Sequence, residues 1–279
     1  MSAEQPDELV IAPGRSNRTY WRDLWRYREL LGFLAWRDIR VRYKQTVLGV
    51  CWALLQPAVT LLVFAFVFGR LAHMPAGGLD EKAYPLLVMS GLLPWQFFAN
   101  ALSNSSGSLV GNTHLISKVY FPRLVIPLSS LGVAAIDFLF VALLTVALFA
   151  WYHFLPGWQI VFLPAFFLFA LLAALGAGLW LTALTVRYRD FRFIVPFLIQ
   201  VGLFLSPVGF SATNLPNWQD LFALNPMVGV IDGFRWCLFD GHYPLHVASL
   251  LTGLTTTIIL LVSGLWYFRR TERTFADIV

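Results

Sequence analysis

The chain has 279 residues, of which 58% are hydrophobic and only 13% are charged, and its formal net charge is +5. Soluble domains carry about 25% charged residues, so this composition excludes a soluble fold and requires lipid as the solvent for much of the surface. A positive net charge suggests nucleic acid in a soluble protein, but here we expect no nucleic-acid partner and read the charge through its distribution along the chain.

Residues 1–46 are predicted to form a cytoplasmic segment with an amphipathic interface helix. No cleavable signal peptide is visible, so the first apolar stretch acts as the insertion signal. Within residues 19–42, apolar side chains recur at spacings of four and three, at Tyr20, Leu24, Tyr27, Leu31 and Leu34. Arginines lie on the opposite side of the helix. Such a stripe suits a helix in the headgroup layer. It is either a simple anchor or a platform that meets anionic lipid or a cytosolic partner.

Six later stretches are long and apolar enough to cross a bilayer, which takes about 20 residues per helix. The third and fourth are separated only by a short turn around Pro156 and Gly157 and form a hairpin. The sequence therefore predicts an all-α, polytopic membrane protein with six transmembrane helices and a cytoplasmic tail at 269–279. The six stretches lie at about 47–69, 84–105, 124–152, 159–186, 193–212 and 247–268.

The distribution of Lys and Arg sets the orientation of these helices. Seventeen of the 20 fall on one side of the predicted membrane, nine of them before the first stretch, and only Arg70, Lys82 and Arg235 fall on the other. Basic loops stay in the cytoplasm. Both termini are therefore predicted to be cytoplasmic, which agrees with an even number of crossings.

An unusual loop between the fifth and sixth stretches is predicted to be a re-entrant outer hairpin at about 213–241. It contains two short apolar pieces, each too short to span, separated by a break at Asn225 and Pro226. Irregular backbone at membrane depth survives only against protein or a water-filled cavity. The loop therefore indicates a pore mouth, and the alternative is a pair of helices that rest on the outer leaflet.

Polar groups inside the predicted spans need partners. Asp137 falls near the middle of the third stretch, where an acid costs about 2.5–3.5 kcal/mol to insert, and a structural hydrogen bond is favoured over a transport site. Gln56 and Pro57 place an amide and a kink in the first stretch, which suit either a substrate path or helix packing. Aromatic residues along the first and fifth stretches suit a sugar-binding channel, but their periodicity alone favours lipid-facing positions.

Other motifs narrow the function classes. No G-x-x-x-x-G-K-[ST] sequence is present, so the chain has no ATP site of this type, and no metal or cofactor site is predicted. A membrane-bound glycan-modifying enzyme would need clustered acids or histidines, and the five histidines lie mostly in separate loops. A secondary transporter would need matched broken helices in both halves, and only one such pair is seen.

Eight short motifs carry a family resemblance that covers residues 20–270. They are RDIRVRYKQTVLG at 37–49, WALLQP at 52–57, GLLPW at 91–95, LISKVYFPR at 115–123, RYRDFR at 187–192, LSPV at 205–208, NPM at 225–227 and GFRW at 233–236. In this order and spacing, the chain resembles the permease subunits of type-2 ATP-binding-cassette exporters, in the polysaccharide and polyol-phosphate export branch, and most of all the O-antigen export permeases.

The resemblance implies a homodimer in the bacterial inner membrane that exports lipid-linked, O-antigen-type polysaccharide. ATP and magnesium would bind to two copies of a separate ATPase subunit. Exporters of capsule, teichoic acid or a small molecule remain alternatives within the same family.

The resemblance also implies roles for four sets of residues. A coupling helix at about 110–122 would dock into the ATPase through Asn112, Leu115, Ile116, Lys118, Phe121 and Pro122. The basic entrance for a lipid headgroup would consist of Arg37, Arg40, Arg42 and Lys44. The channel lining would include Trp52, Gln56, Phe64, Phe68, Phe197 and Phe204. The outer gate would include Trp218, Phe222, Phe234 and Trp236.

Overall fold

The computed structural model describes residues 17–44, 47–71, 73, 83–210, 219–272 and 275, and within these ranges the chain is helical, with no strand. The predicted all-α class is therefore confirmed. The helices are α1 (Asn17–Arg26), α2 (Arg28–Lys44), α3 (Val47–Phe64), α4 (Tyr84–Gly111), α5 (Thr113–Lys118), α6 (Val125–Trp151), α7 (Leu163–Arg187), α8 (Phe191–Phe204), α9 (Gln219–Ala223), α10 (Pro226–Leu238) and α11 (Val247–Thr271). A π-helical turn (Ala65–Leu71) extends α3, and a 3-10 turn (Trp158–Phe162) precedes α7.

Five helical segments in the described part of the chain are long and apolar enough to cross a membrane: Cys51–Leu71, Tyr84–Gly111, Val125–Trp151, Trp158–Arg187 and Val247–Thr271. The predicted fifth span coincides with α8, which has only 14 residues. At 1.5 Å per residue it is about 21 Å long, less than the roughly 30 Å of a bilayer core. The multi-pass membrane protein is confirmed, and six crossings stay a prediction.

Helix α4 is the centre of the bundle, and it packs against α6, α7 and α10. On its α7 side, the Thr182 hydroxyl donates to the Ser105 carbonyl oxygen at 2.8 Å. At the Gly111 end of α4 lies a second apolar cluster, here called the inner cluster. Its buried members include Leu34, Leu109, Ile116, Phe121, Leu124, Phe268 and Phe275. The inner cluster joins the N-terminal segment, the α4–α6 connection and the C-terminal end.

The chain leaves helical geometry after α8, and side chains from other helices satisfy the freed backbone. Arg235 on α10 is fully buried, and its guanidinium donates to the carbonyl oxygens of Val208 at 3.0 Å and Phe210 at 2.9 Å. The Tyr84 hydroxyl at the start of α4 donates to the Gly209 carbonyl. Unpaired backbone groups are too costly in lipid, so residues 205–210 depend on α4 and α10 for their stability.

Candidate coupling and entrance site

The predicted coupling segment begins where α4 ends. Asn112 separates α4 from the six-residue helix α5, and its side-chain amide donates to the Ser108 carbonyl oxygen at 2.9 Å. From α2, the Arg37 guanidinium donates to the Asn112 side-chain oxygen at 2.7 Å and pairs with Asp38 at 2.7 Å. Arg37 was predicted at a headgroup entrance, but the structure places it between the interface helix and the coupling segment.

The predicted coupling residues divide between two faces of the segment. Ile116, Phe121 and Pro122 are buried, with Ile116 and Phe121 in the inner cluster and Leu115 packed against it. These apolar side chains pack the segment against the bundle and are not on its exposed face. The docking role of Phe121 and its neighbours stays a prediction, and the structure places Phe121 in the inner cluster.

The exposed face of the segment consists of residues that the sequence analysis largely missed. Lys118 is exposed, as predicted for a docking residue, and so are His114 and Ser117. Val119 is 50% exposed and Tyr120 is 58% exposed. The polar residues His114, Ser117 and Lys118 beside the apolar Leu115 and Ile116 were the sequence signal that could have separated these two faces.

Asp137 in the middle of α6 is almost fully buried and receives three donors. The Arg42 guanidinium lies 2.8 Å from its Oδ2 atom, and the Asn100 side-chain amide on α4 donates to the same oxygen at 3.3 Å. The Tyr43 hydroxyl donates to Oδ1. Asp137 thus has the hydrogen-bond partners that a structural role requires. Because Arg42 and Tyr43 are at the end of α2, these contacts fix that end against α4 and α6.

The other predicted entrance residues lie on the open side of α2. Arg40 and Lys44 are exposed, and the Arg40 guanidinium lies 5.2 Å from the centre of the Trp36 ring. Trp36 is itself exposed. Arginine and tryptophan side chains side by side on an interface helix are typical of the headgroup layer. Arg40 and Lys44 are therefore better placed than Arg37 or Arg42 to meet an anionic headgroup.

A half-buried carboxylate, that of Glu272, ties the N-terminal segment to the C-terminal end. Glu272 accepts the backbone N–H of Arg123 at 2.8 Å and the hydroxyl of Tyr20 at 3.0 Å. Burial raises the pKa of Glu272 above its ordinary value, against the opposing effects of these hydrogen bonds and of Arg123 and Arg269. Burial likewise raises the pKa of Tyr20, and the Glu272 carboxylate adds to that rise. Arg123 directly follows the predicted coupling segment, so this cluster anchors its far end.

The predicted channel-lining residues have different surroundings. Trp52, Gln56, Phe197 and Phe204 are exposed on α3 and α8, and Phe68 is half-buried. Phe64 is buried and stacks on Phe204, with ring centres 6.2 Å apart. Phe64 therefore joins α3 to α8 within the chain, and the lining role of the others stays a prediction.

The predicted outer-gate residues are also separated by the fold. Trp218 lies outside the described residues. Phe222 is half-buried and packs on Phe210 at 6.0 Å between ring centres. Trp236 is half-buried against Trp158 and Phe162. Phe234 is fully buried against Phe138, so its side chain belongs to the core and does not face an opening in this chain.

The sequence profile of the ABC-2 type transporter family matches residues 29–239, which include the entrance, the coupling segment and most of the outer hairpin. The chain belongs to the ABC-2 type transporter family. The predicted family resemblance is thereby confirmed, and with it the place of this multi-pass chain among transport permeases.

Relatives of this ABC-2 transporter chain align over most of its length. The O-antigen export system permease protein RfbA of Klebsiella pneumoniae is 27% identical over 253 residues, which cover 90% of this chain and 95% of that protein. RfbA of Myxococcus xanthus is 26% identical over 259 residues, covering 92% and 97%. The polysialic acid transport protein KpsM of Escherichia coli is 25% identical over 245 residues, covering 85% and 91%.

Proposed function

We propose that this chain is the membrane-spanning permease subunit of an exporter that moves lipid-linked polysaccharide of the O-antigen type across the bacterial inner membrane. It acts as a homodimer, and two copies of a separate ATP-binding-cassette subunit supply the energy. The observation that carries this proposal is the alignment, over nine tenths of the chain, with permeases named for O-antigen export.

The geometry of the coupling segment supports an ATP-driven mechanism. Helix α5 follows α4 with only Asn112 between them, and α4 is the most buried of the five long apolar segments. A partner that moves the exposed face of residues 113–120 would therefore move the inner end of α4. The inner cluster and the Glu272 contacts make the segment rigid enough to transmit that movement, because its apolar side and its far end are both anchored.

The entrance supports an anionic, membrane-borne substrate. Arg40 and Lys44 are exposed near the start of α3, where a lipid diphosphate in the inner leaflet would be within reach of their charged groups. Exposed cations next to an interfacial tryptophan attract anionic headgroups. Because these exposed cations lie at the predicted cytoplasmic side only, the entrance suits a lipid-linked substrate that arrives from the cytoplasmic leaflet.

The second candidate function is export of a capsule-type polysaccharide. The match to a polysialic acid transport protein over 85% of the chain favours it. Both candidates share the coupling mechanism and differ in the polymer.

The function is tested by deletion of the gene in its host, with measurement of surface polysaccharide and of the intracellular lipid-linked pool. We expect loss of surface O-antigen with accumulation of finished lipid-linked polymer inside, and recovery on expression of the wild-type chain. Loss of capsule with normal O-antigen would favour the second candidate. Normal amounts of both surface polymers would contradict the proposal.

A sharper test addresses coupling to the ATPase. Tyr120→Asp places a charge on the exposed face of the segment. We expect the purified variant to bind the ATPase subunit at least tenfold more weakly, and we expect export in cells to fall at least tenfold. Tyr188→Asp is the matched control, because Tyr188 is 48% exposed in the next cytosolic loop. Unchanged association in the Tyr120 variant would remove this face from the coupling mechanism.

A further inference from the structure

Helices α7 and α11 pack together along their length, and none of the roles above uses their last turns. Gly264 lies against the Gly176 carbonyl oxygen. One turn further along α7, the Trp180 ring stacks on the Tyr267 ring, with 4.3 Å between ring centres. Since residue numbers rise together on both helices, they run in the same direction, and their last turns lie side by side at the end of the bundle predicted to be cytosolic.

Two arginines lie above this seam on the same face. The Trp180 indole nitrogen donates to the Ser263 hydroxyl at 3.0 Å, so these two positions mark adjoining faces of α7 and α11. Arg187 and Arg270 each follow seven residues later on their own helix, which returns them to the marked faces. At 1.5 Å per residue, the contacts along the seam place the two arginines within about 5 Å of each other in depth.

Both guanidinium groups are exposed and held in position without an acidic partner. Arg270 lies 5.3 Å from the centre of the Trp266 ring, and Arg187 lies 5.4 Å from the centre of the Tyr188 ring. Neither forms an ion pair with a carboxylate in the part of the chain that the structure describes. The carboxylate of Glu272, two residues beyond Arg270, is occupied by the N-terminal contacts described above. The seam therefore presents uncompensated positive charge.

Toward the middle of the membrane, the same face of α11 becomes apolar. Ile259, Val262 and Trp266 are exposed and precede Arg270 at spacings of three and four residues. They share one stripe of the helix with that arginine. An apolar stripe that ends in two cations matches the shape and charge of an acyl chain below a phosphate group.

We propose that this seam binds an anionic phospholipid of the inner leaflet through a basic aromatic patch. The patch consists of Trp180, Arg187, Trp266, Tyr267 and Arg270. Guanidinium groups bind phosphate oxygens in a two-pronged geometry, and basic sites between membrane helices on the cytoplasmic side suit anionic headgroups. A lipid bound here bridges α7 and α11.

The patch is separate from the entrance proposed for the exported substrate. Helix α11 packs mainly against α7, α9 and α10, whereas Arg40 and Lys44 lie on α2, which packs against α3 and α6. The ligand of the patch is therefore a membrane phospholipid that stays in place and not the lipid carrier of the polymer. This inference does not depend on which polymer is exported.

The test is native mass spectrometry of the purified full-length chain in detergent, titrated with phosphatidylglycerol or with phosphatidylcholine of the same acyl chains. The patch variant carries Arg187→Gln and Arg270→Gln. The matched control carries Arg189→Gln and Arg192→Gln, which remove the same charge from exposed arginines between α7 and α8.

We expect wild type to bind its first phosphatidylglycerol at least tenfold more tightly than phosphatidylcholine, because each basic residue near an anionic headgroup strengthens binding by about fivefold. The patch variant should lose that preference, and the control should keep it. Equal affinity of wild type for the two lipids would overturn the proposal. Equal losses in the patch variant and the control would overturn it as well, because the lipid would then respond only to overall charge.

Trp266→Ala keeps the test decisive if the patch variant fails to fold. Trp266 is 58% exposed, so its removal leaves the core intact while it frees the Arg270 guanidinium. We expect phosphatidylglycerol to bind this variant at least threefold more weakly, and unchanged binding would contradict the patch.

Two further measurements separate the phospholipid from other occupants of the seam. A polyprenyl diphosphate that displaces bound phosphatidylglycerol at a tenth of its concentration would assign the patch to the transported lipid and overturn the proposal. Efficient oxidative cross-linking between two copies of a Trp266→Cys chain, in a background with Cys51→Ser and Cys237→Ala, would assign the seam to a second copy. We expect neither displacement nor cross-linking.

Discussion

Asp137 shows how a single residue ties the membrane bundle to the interface helix. Its position in an apolar helix predicts a partner, and the structure supplies Arg42, Tyr43 and Asn100. Arg42 was expected to meet a lipid headgroup, but its guanidinium already neutralises this carboxylate. Removal of one member of such a pair leaves the other charge without compensation.

At the residue scale, we predict that Arg42→Ala lowers the free energy of unfolding by about 1–3 kcal/mol. The low end of that range is expected, because Arg42 is 41% exposed and water screens the pair from that side. Addition of Asp137→Asn should recover part of the loss, since it removes the unpaired charge. The measurement is a double-mutant cycle of unfolding in mixed detergent micelles.

Arg40→Ala is the matched control for this cycle, because the Arg40 guanidinium lies against the exposed ring of Trp36 on the same helix. We expect its effect to stay within about 1 kcal/mol. Equal losses for the Arg40 and Arg42 variants would contradict the anchoring role of Arg42 and Asp137.

At the scale of helices, α7 and α11 approach closely enough for backbone contact. A side-chain carbon at Gly264 would lie 2.6 Å from the Gly176 carbonyl oxygen, and one at Gly176 would lie 2.7 Å from the Leu261 backbone nitrogen. No hydrophobic effect drives helices together in lipid, so they associate through close packing, which small residues at the interface allow. The sequence shows glycines in both apolar stretches but does not show that they face each other.

Gly264→Ala should therefore force the two helices apart and lower the free energy of unfolding by about 1–3 kcal/mol. Gly32→Ala on α2 is the control, because its added carbon meets nothing within 4 Å. That control should raise the stability slightly, by up to about 1 kcal/mol, since alanine favours the helix. Similar melting temperatures for wild type and the Gly264 variant would contradict the close packing of α7 on α11.

At the scale of the whole molecule, the crossing of α8 decides the topology. Five segments span by length and composition, whereas both termini on the cytoplasmic side require an even number. Helix α8 is short, but the chain continues beyond it through residues 205–210, and Arg235 and Tyr84 donate to the carbonyl groups of Val208, Gly209 and Phe210. A broken span sealed by protein in this way is compatible with membrane depth.

We predict that α8 crosses together with this sealed extension. Alkaline phosphatase fused after residue 241 should be active, and fusions after residue 189 and at the C terminus should be inactive, because the enzyme folds only outside the cytoplasm. An inactive fusion at 241 would contradict the crossing of α8. Activity at the C terminus would contradict the cytoplasmic location of both termini.

The sequence by itself determined the membrane class, the approximate helices and the family, and it predicted the orientation of the helices. Each of these depends on local composition or on a motif, such as the nine basic residues before α3 or the LISKVYFPR segment. The tertiary structure decided which faces meet. Tyr43 and Asp137 are 94 positions apart, and Tyr84 and Gly209 are 125 apart. In a membrane helix, lipid and the protein interior are both apolar, so hydrophobic periodicity could not show that Phe64 faces α8 or that α7 faces α11.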